Sequence, residues 1–216
     1  ISRLCKGNPN TRVRIIRLNK PFLGNIVRQI GAEYSMGRYI WQVDPDDLID
    51  TNNIPMIVEK LFNESQANPP IDMLKFGFCQ YTYRNNNLPR RPHCFNKYKL
   101  RFSTHTQCVA FLVERAQSWQ LWQCMIRRDT FLKGVEAVKL HAPGQEKILV
   151  ANDLFLFSAS IAFTNSIVTM PINGYNYFYM RPGSESLKIW KQNVNTKISF
   201  EVIIPFIHYL FDNMSM

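Results

Sequence analysis

GNIVRQIGAEYSMGRYIWQVDPDDLID, residues 24 to 50, decides how this chain is read. Apolar residues at Ile26, Val27, Ile30 and Tyr34 recur at helical spacing and Gly37 stops the run, so the first half predicts a helix. Tyr39 to Val43 then reads as a short, mostly apolar strand. Three carboxylates follow at once, at Asp44, Asp46 and Asp47. Like charges packed that tightly repel one another, so the turn is costly unless a cation, helix N-terminal amides or water offsets it.

Working outward, TRVRIIRL at 11–18 partly alternates Arg with Val and Ile and predicts a strand, broken by Asn19-Lys20-Pro21. After the acids, TNNIPMIVEKLFNESQ predicts a helix entered through Pro55, and Met73 to Tyr83 a strand with Gly77 as a bulge. Alternating strands and helices argue an α/β layer fold. Asn85 to Tyr98, with its asparagine run and two prolines, predicts a long loop that holds His93 and Cys94. Thr104 to Gln117 reads as helical, SWQLWQCMIRR as extended and His141 to Gly144 as a turn. NDLFLFSASIAF predicts a buried helix beginning at Asp153. IVTMP and the aromatic YNYFYM read as strands, and the stretch from Ile198 to Phe211 as a helix kinked at Pro205.

With 216 residues, 46% of them apolar and 13% aromatic, the chain is long enough for one sizeable core and is not a disordered polymer. The net charge of +10 favours anionic partners such as phosphates, nucleic acid or an anionic membrane surface. Its basic residues are scattered, at Arg12, Arg14 and Arg17, at Arg84, Arg90 and Arg91, and at Arg127-Arg128, so there is no nucleic-acid tail. Five widely spaced cysteines without a C-x-x-C pair predict reduced, structural thiols and a cytosolic setting. No uninterrupted apolar run is long enough to span a bilayer.

Asp44 and Asp46 stand at the carboxyl end of a predicted strand, where ligands gather in open α/β sheets. Two carboxylates one residue apart can aim oxygens at one divalent cation, and Mg²⁺ or Mn²⁺ needs few protein ligands when phosphates supply others. The alternative is that Asp46, Asp47 and Asp50 solvate a turn and favour the next helix N-terminus. Asp153, at the mouth of an apolar helix, reads either as a general base with a raised pKa or as a first-turn acid. Arg28, opposite Ile26 and Ile30, reads as solvated. Tyr175, Tyr177 and Tyr179 share one strand face and, like Trp119 and Trp122, either stack on a ligand or line the core.

Taken in order, these pieces resemble the family 2 glycosyltransferases with the GT-A fold. The unit from Gly24 to Asp50 matches that family's helix, Tyr-Ile strand and D-x-D-D turn; LWQCMIRRDTF stands for its tryptophan stretch, Ala151-Asn152-Asp153 for its Glu-Asp pair, and YNYFYMRPGSES for its Y-x-Y-x-R segment. Gln29 replaces the usual asparagine and Asn152 the usual glutamate, and nothing before Thr11 corresponds to the family's first strand-helix-strand. The resemblance implies an α/β fold with a Rossmann-like mixed sheet flanked by helices and incomplete at the N-terminus, over residues 1–187, followed by a helical extension at 188–216. It implies a metal-dependent, inverting transferase moving a sugar from a nucleotide-sugar, foremost a UDP-sugar, to a glycan or lipid-linked acceptor. Asp46 and Asp44 would hold Mn²⁺ or Mg²⁺ and the donor, with Arg28 near the nucleotide. Asp153 would be the base, and Trp119, Trp122, Tyr177 and Tyr179 the acceptor side. The implied setting is cytoplasmic, with peripheral membrane contact and no nucleic acid.

Overall fold

The structure is a computed structural model that describes residues 13–82, 92–95, 99–114, 120–148, 151–179 and 193–214. Helix α1 (Gly24–Tyr34) leads into strand β1 (Tyr39–Trp41), the acidic turn and the short β2 (Leu48–Ile49). Then come α2 (Ile54–Ser65), β3 (Met73–Thr82), β4 (His93–Phe95), β5 (Arg101–Phe102) and α3 (His105–Glu114). The second half holds β6 (Cys124–Arg127), α4 (Arg128–His141), α5 (Asn152–Ile161), β7 (Ile167–Tyr179) and α6 (Asn193–Met214). Turns of 3-10 helix cover Leu121–Gln123 and Gln145–Lys147.

The strands form one mixed sheet in the order β1-β6-β3-β7-β2, with β4 on β3 and β5 on β7. Among the described residues only β3 and β7 run parallel, and they are the longest pair. Because β3 is central, it is buried on both faces: Leu74, Phe76 and Phe78 join one core and Met73 the other. The first core, under α4, α5 and α6, is built on Phe131, Val138, Phe155, Phe157 and Phe206. The second packs Ile57 of α2 against Phe76, Trp122 and Tyr175. Each fully buried Phe or Ile contributes about 1.5–3 kcal/mol of transfer free energy.

Several sequence expectations change here. Residues 13–18 form no strand: Val13 and Ile15 are exposed, and no strand among the described residues pairs with them. Alternation alone does not hold a strand without a partner to pack on. Helix α1 buries Asn25, Gln29 and Ala32, while Val27 and Tyr34 are 44% and 55% exposed. The inward stripe is polar because Asn25 Nδ2 donates to the Gln145 carbonyl and Gln29 Nε2 to Gln145 Oε1, both at 2.8 Å. IVTMP and YNYFY belong to one strand, β7, whose register against β3 shifts on either side of Gly77. An irregularity is present there, but its extra residues lie on β7 and not at Gly77 itself, and they include Pro171, which has no N–H for the ladder.

From Leu121 on, the stretch expected to be extended up to Arg128 is a 3-10 turn and a four-residue strand, and Arg128 already opens α4. His93 and Cys94 lie in β4, and Cys79 and Cys94, opposite one another in the β3–β4 register, form a disulfide. The expectation of reduced thiols fails for that pair; Cys108 and Cys124 are free and buried. The boundary at 187 and 188 lies outside the described residues. Helix α6 runs through Pro205 and supplies Ile203, Phe206 and Leu210 to the first core, so its described part is integral to the fold.

Candidate functional site

Strand β1 ends at Trp41 and delivers the chain to a turn at Pro45-Asp46. That turn is fixed from β7. The Tyr175 hydroxyl accepts from the Asp44 N–H at 3.0 Å and donates to Asp47 Oδ2 at 2.9 Å, while the Phe178 N–H donates to Asp47 Oδ1 at 2.9 Å. Burial raises the Asp47 carboxyl to about 6; the bonds from Phe178 and Tyr175 oppose the rise, and Asp46 and Asp44 add to it. The Tyr175 hydroxyl is raised too, by burial and then by Asp47. Asp50 serves α2, accepting from the Asn52 N–H at 3.2 Å and from Asn53 Nδ2 at 3.0 Å.

Arg28 is not solvated. Its side chain is 16% exposed, its Nη2 is paired with Asp44 Oδ1, and it lies 3.2 Å from Asp153 Oδ1, an ion-pair contact without hydrogen-bond geometry. Burial disfavours the Arg28 charge, but Asp153 and Asp44 outweigh it and raise its pKa. Asp153, 15% exposed at the start of α5, is pushed up to about 6 by burial against the pull of Arg28, with Asp44 and Asp47 adding to the rise. Such a carboxyl is ionised at neutral pH yet basic enough to take a proton. Ala151, just before α5, is left-handed with φ 59°.

The structure thus brings together Arg28, Asp44 and Asp153, residues from three separate segments. Asp46 is exposed on the same turn. No group of three or more His, Cys, Asp or Glu placed to hold a metal occurs among the described residues. A cation that shares its shell with phosphate oxygens needs only one or two carboxylates, and Asp46 with its neighbour Asp44 fits that smaller demand. Asp47 does not, since both its oxygens are bonded to β7.

Of the aromatic candidates, Trp119 lies outside the described residues. Trp122 is only 3% exposed and stacks on Tyr175 and Tyr177 at centroid distances of 4.6 and 5.1 Å, so it stands in the core and not on an open acceptor face. Tyr177 and Tyr179 are half-buried, their rings tilted at 6.2 Å. Gln29 is occupied with Gln145, and Asn152 Oδ1 is buried without a hydrogen-bond partner among the described residues. Sequence reasoning missed the strut made by Asp47 and Tyr175; the alternate-residue tyrosine stripe marked the face but not its target. It also missed Gln145, for which no local signal exists.

The mixed sheet flanked by helices is a glycosyltransferase fold. It is similar to S. aureus TarS residues 1–349 in complex with UDP, at 12% identity and a TM-score of 0.54, covering 88% of this chain and 45% of that one. A second TarS 1–349 structure aligns at 12% identity and a TM-score of 0.49, covering 88% and 53%. The chain therefore spans about half the length of the structures it matches. No protein-family model and no curated protein matches it.

Proposed function

We propose that the chain is the catalytic core of a family 2, inverting, metal-dependent glycosyltransferase that uses a nucleotide-sugar, foremost a UDP-sugar. The observation that carries this is the meeting of Asp44, Arg28 and Asp153 beyond the end of β1. UDP is the ligand of one TarS structure of the same fold, which supports the choice of nucleotide. Asp46 and Asp44 would hold Mn²⁺ or Mg²⁺, which when bound offsets charge on the departing diphosphate. Arg28 orients Asp153 and Asp44 toward one point. Asp153 takes the proton of an acceptor hydroxyl as its oxygen bonds to the anomeric carbon and the bond to the diphosphate breaks on the opposite face. The acceptor is a glycan or lipid-linked saccharide, met at the cytoplasmic face of a membrane; the net charge of +10 supports that setting. Among the described residues no helix is long and apolar enough to cross a membrane.

A second reading, a non-catalytic binding or assembly module, is favoured by one observation: Arg28 already pairs with both Asp44 and Asp153 from within the chain and offsets part of their charge. Calorimetric titration with UDP and Mn²⁺ separates the two. The enzyme reading expects saturable, Mn²⁺-dependent heat that disappears in Asp46→Ala with the melting curve intact. Heat that is absent, or unchanged in the variant, counts against it.

A further inference from the structure

The positive charge of the molecule is not spent at the acidic turn, where carboxylates outnumber the single Arg28. Part of it gathers at the opposite end of β1. There a cavity of about 400 Å³ is walled by Met36 and Pro70 and lined by Arg38, Arg127 and Arg128, with Asp129 as its one acid. The fold supplies the three guanidiniums from two adjoining strands: Arg38 precedes Tyr39, and the antiparallel register sets Tyr39 opposite Arg127. Arg128 follows as the first residue of α4, its N–H bonded to the Arg38 carbonyl at 2.8 Å.

Among the described residues, the partners of these arginines leave their charge largely uncompensated. Arg38 Nη1 reaches the Ser65 carbonyl at 3.5 Å, and Arg128 Nε donates to the Ser35 carbonyl at 2.9 Å. Among the described residues only Arg127 is paired with a carboxylate, buried Asp72 at 2.9 Å, and its Nε is buried with no acceptor there. Arg127, held by Asp72 and by the Pro70 carbonyl, supplies charge to the cavity, while Arg38 and Arg128 keep N–H groups that can bind the oxygens of a phosphate group with charge-assisted hydrogen bonds.

We infer that this cavity is a second anion site, separate from the acidic turn, that takes a phosphate group carried by a soluble ester or by a lipid headgroup. The inference is independent of the proposed transferase activity. Its test is calorimetric titration of the whole chain with inorganic pyrophosphate and with glycerol phosphate, beside sedimentation with phosphatidylglycerol and phosphatidylcholine vesicles. Arg38 is exposed and serves as the substitution that leaves the fold intact, checked by an unchanged melting temperature. Arg38→Gln should weaken phosphate binding about tenfold, the size of one charge-assisted contact, while Asp129→Asn should tighten it about threefold. UDP and Mn²⁺ binding at the acidic turn should not change in either variant. Saturable binding to the soluble anions alone assigns a soluble ester, and Arg38-dependent sedimentation with phosphatidylglycerol but not phosphatidylcholine assigns a headgroup. Binding of neither kind, or binding indifferent to both substitutions, overturns the inference.

Discussion

At the scale of single residues, the site rests on two carboxyls held near a pKa of 6 by burial, Asp47 and Asp153. Both titrate near 3.8 when unperturbed, so between those values the folded chain binds more protons than the unfolded one. Their contribution to stability is therefore greatest at low pH and declines as pH rises through about 6, with no further change above it. Asp153→Asn should melt higher than wild type at pH 7, by an amount on the order of 1–2 kcal/mol, with the two curves converging near pH 4. In a transfer assay the same variant should lose about 10²–10⁴-fold in rate, and the wild-type rate should rise with pH through about 6. Tyr175→Phe keeps the ring stack on Trp122 but removes the hydroxyl between Asp44 and Asp47. Thermal unfolding should register a cost of about 1–3 kcal/mol, because Asp47 loses a bond in a partly buried place.

At the scale of elements, legibility followed periodicity. Strand β3 and helix α2 were readable because apolar spacing and flanking Asn and Pro coincide, whereas α5 was readable from its apolar run alone, since Asn152 is its first helical residue and not a capping side chain. Helix α4 was not anticipated, although Phe131, Val135 and Val138 stand at helical spacing, because strand β6, ending on Arg127, runs directly into it without a turn or a capping residue. Its Gly134 packs on α5 so closely that a Cβ would lie 2.9 Å from the Ala159 backbone. Gly134→Ala should thus destabilise by about 1–3 kcal/mol in denaturant unfolding, despite the better helix propensity of alanine. The inward polar stripe of α1 was not legible, since its partner Gln145 lies more than a hundred residues away. Nor was the disulfide, which depends on the β3–β4 register across a separation of 15 residues. Replacing Cys79 and Cys94 together by serine should cost about 2–3 kcal/mol, read from the same unfolding curves.

At the scale of the whole molecule, charge is divided along β1: the acids and Arg28 at its carboxyl end, three arginines around a cavity at its amino end. The candidate site was legible in its parts, Asp44, Asp46 and Asp153, but their meeting through Arg28 was not, because a helical wheel drawn on apolar residues turned that arginine outward. Hydrogen–deuterium exchange with and without UDP and Mn²⁺ addresses the central claim most directly. The account requires slowed exchange in the acidic turn, in the first turn of α5 and around Arg28 in α1, abolished by Asp46→Ala. Unchanged exchange in all three segments, under conditions where the chain is folded, would contradict it.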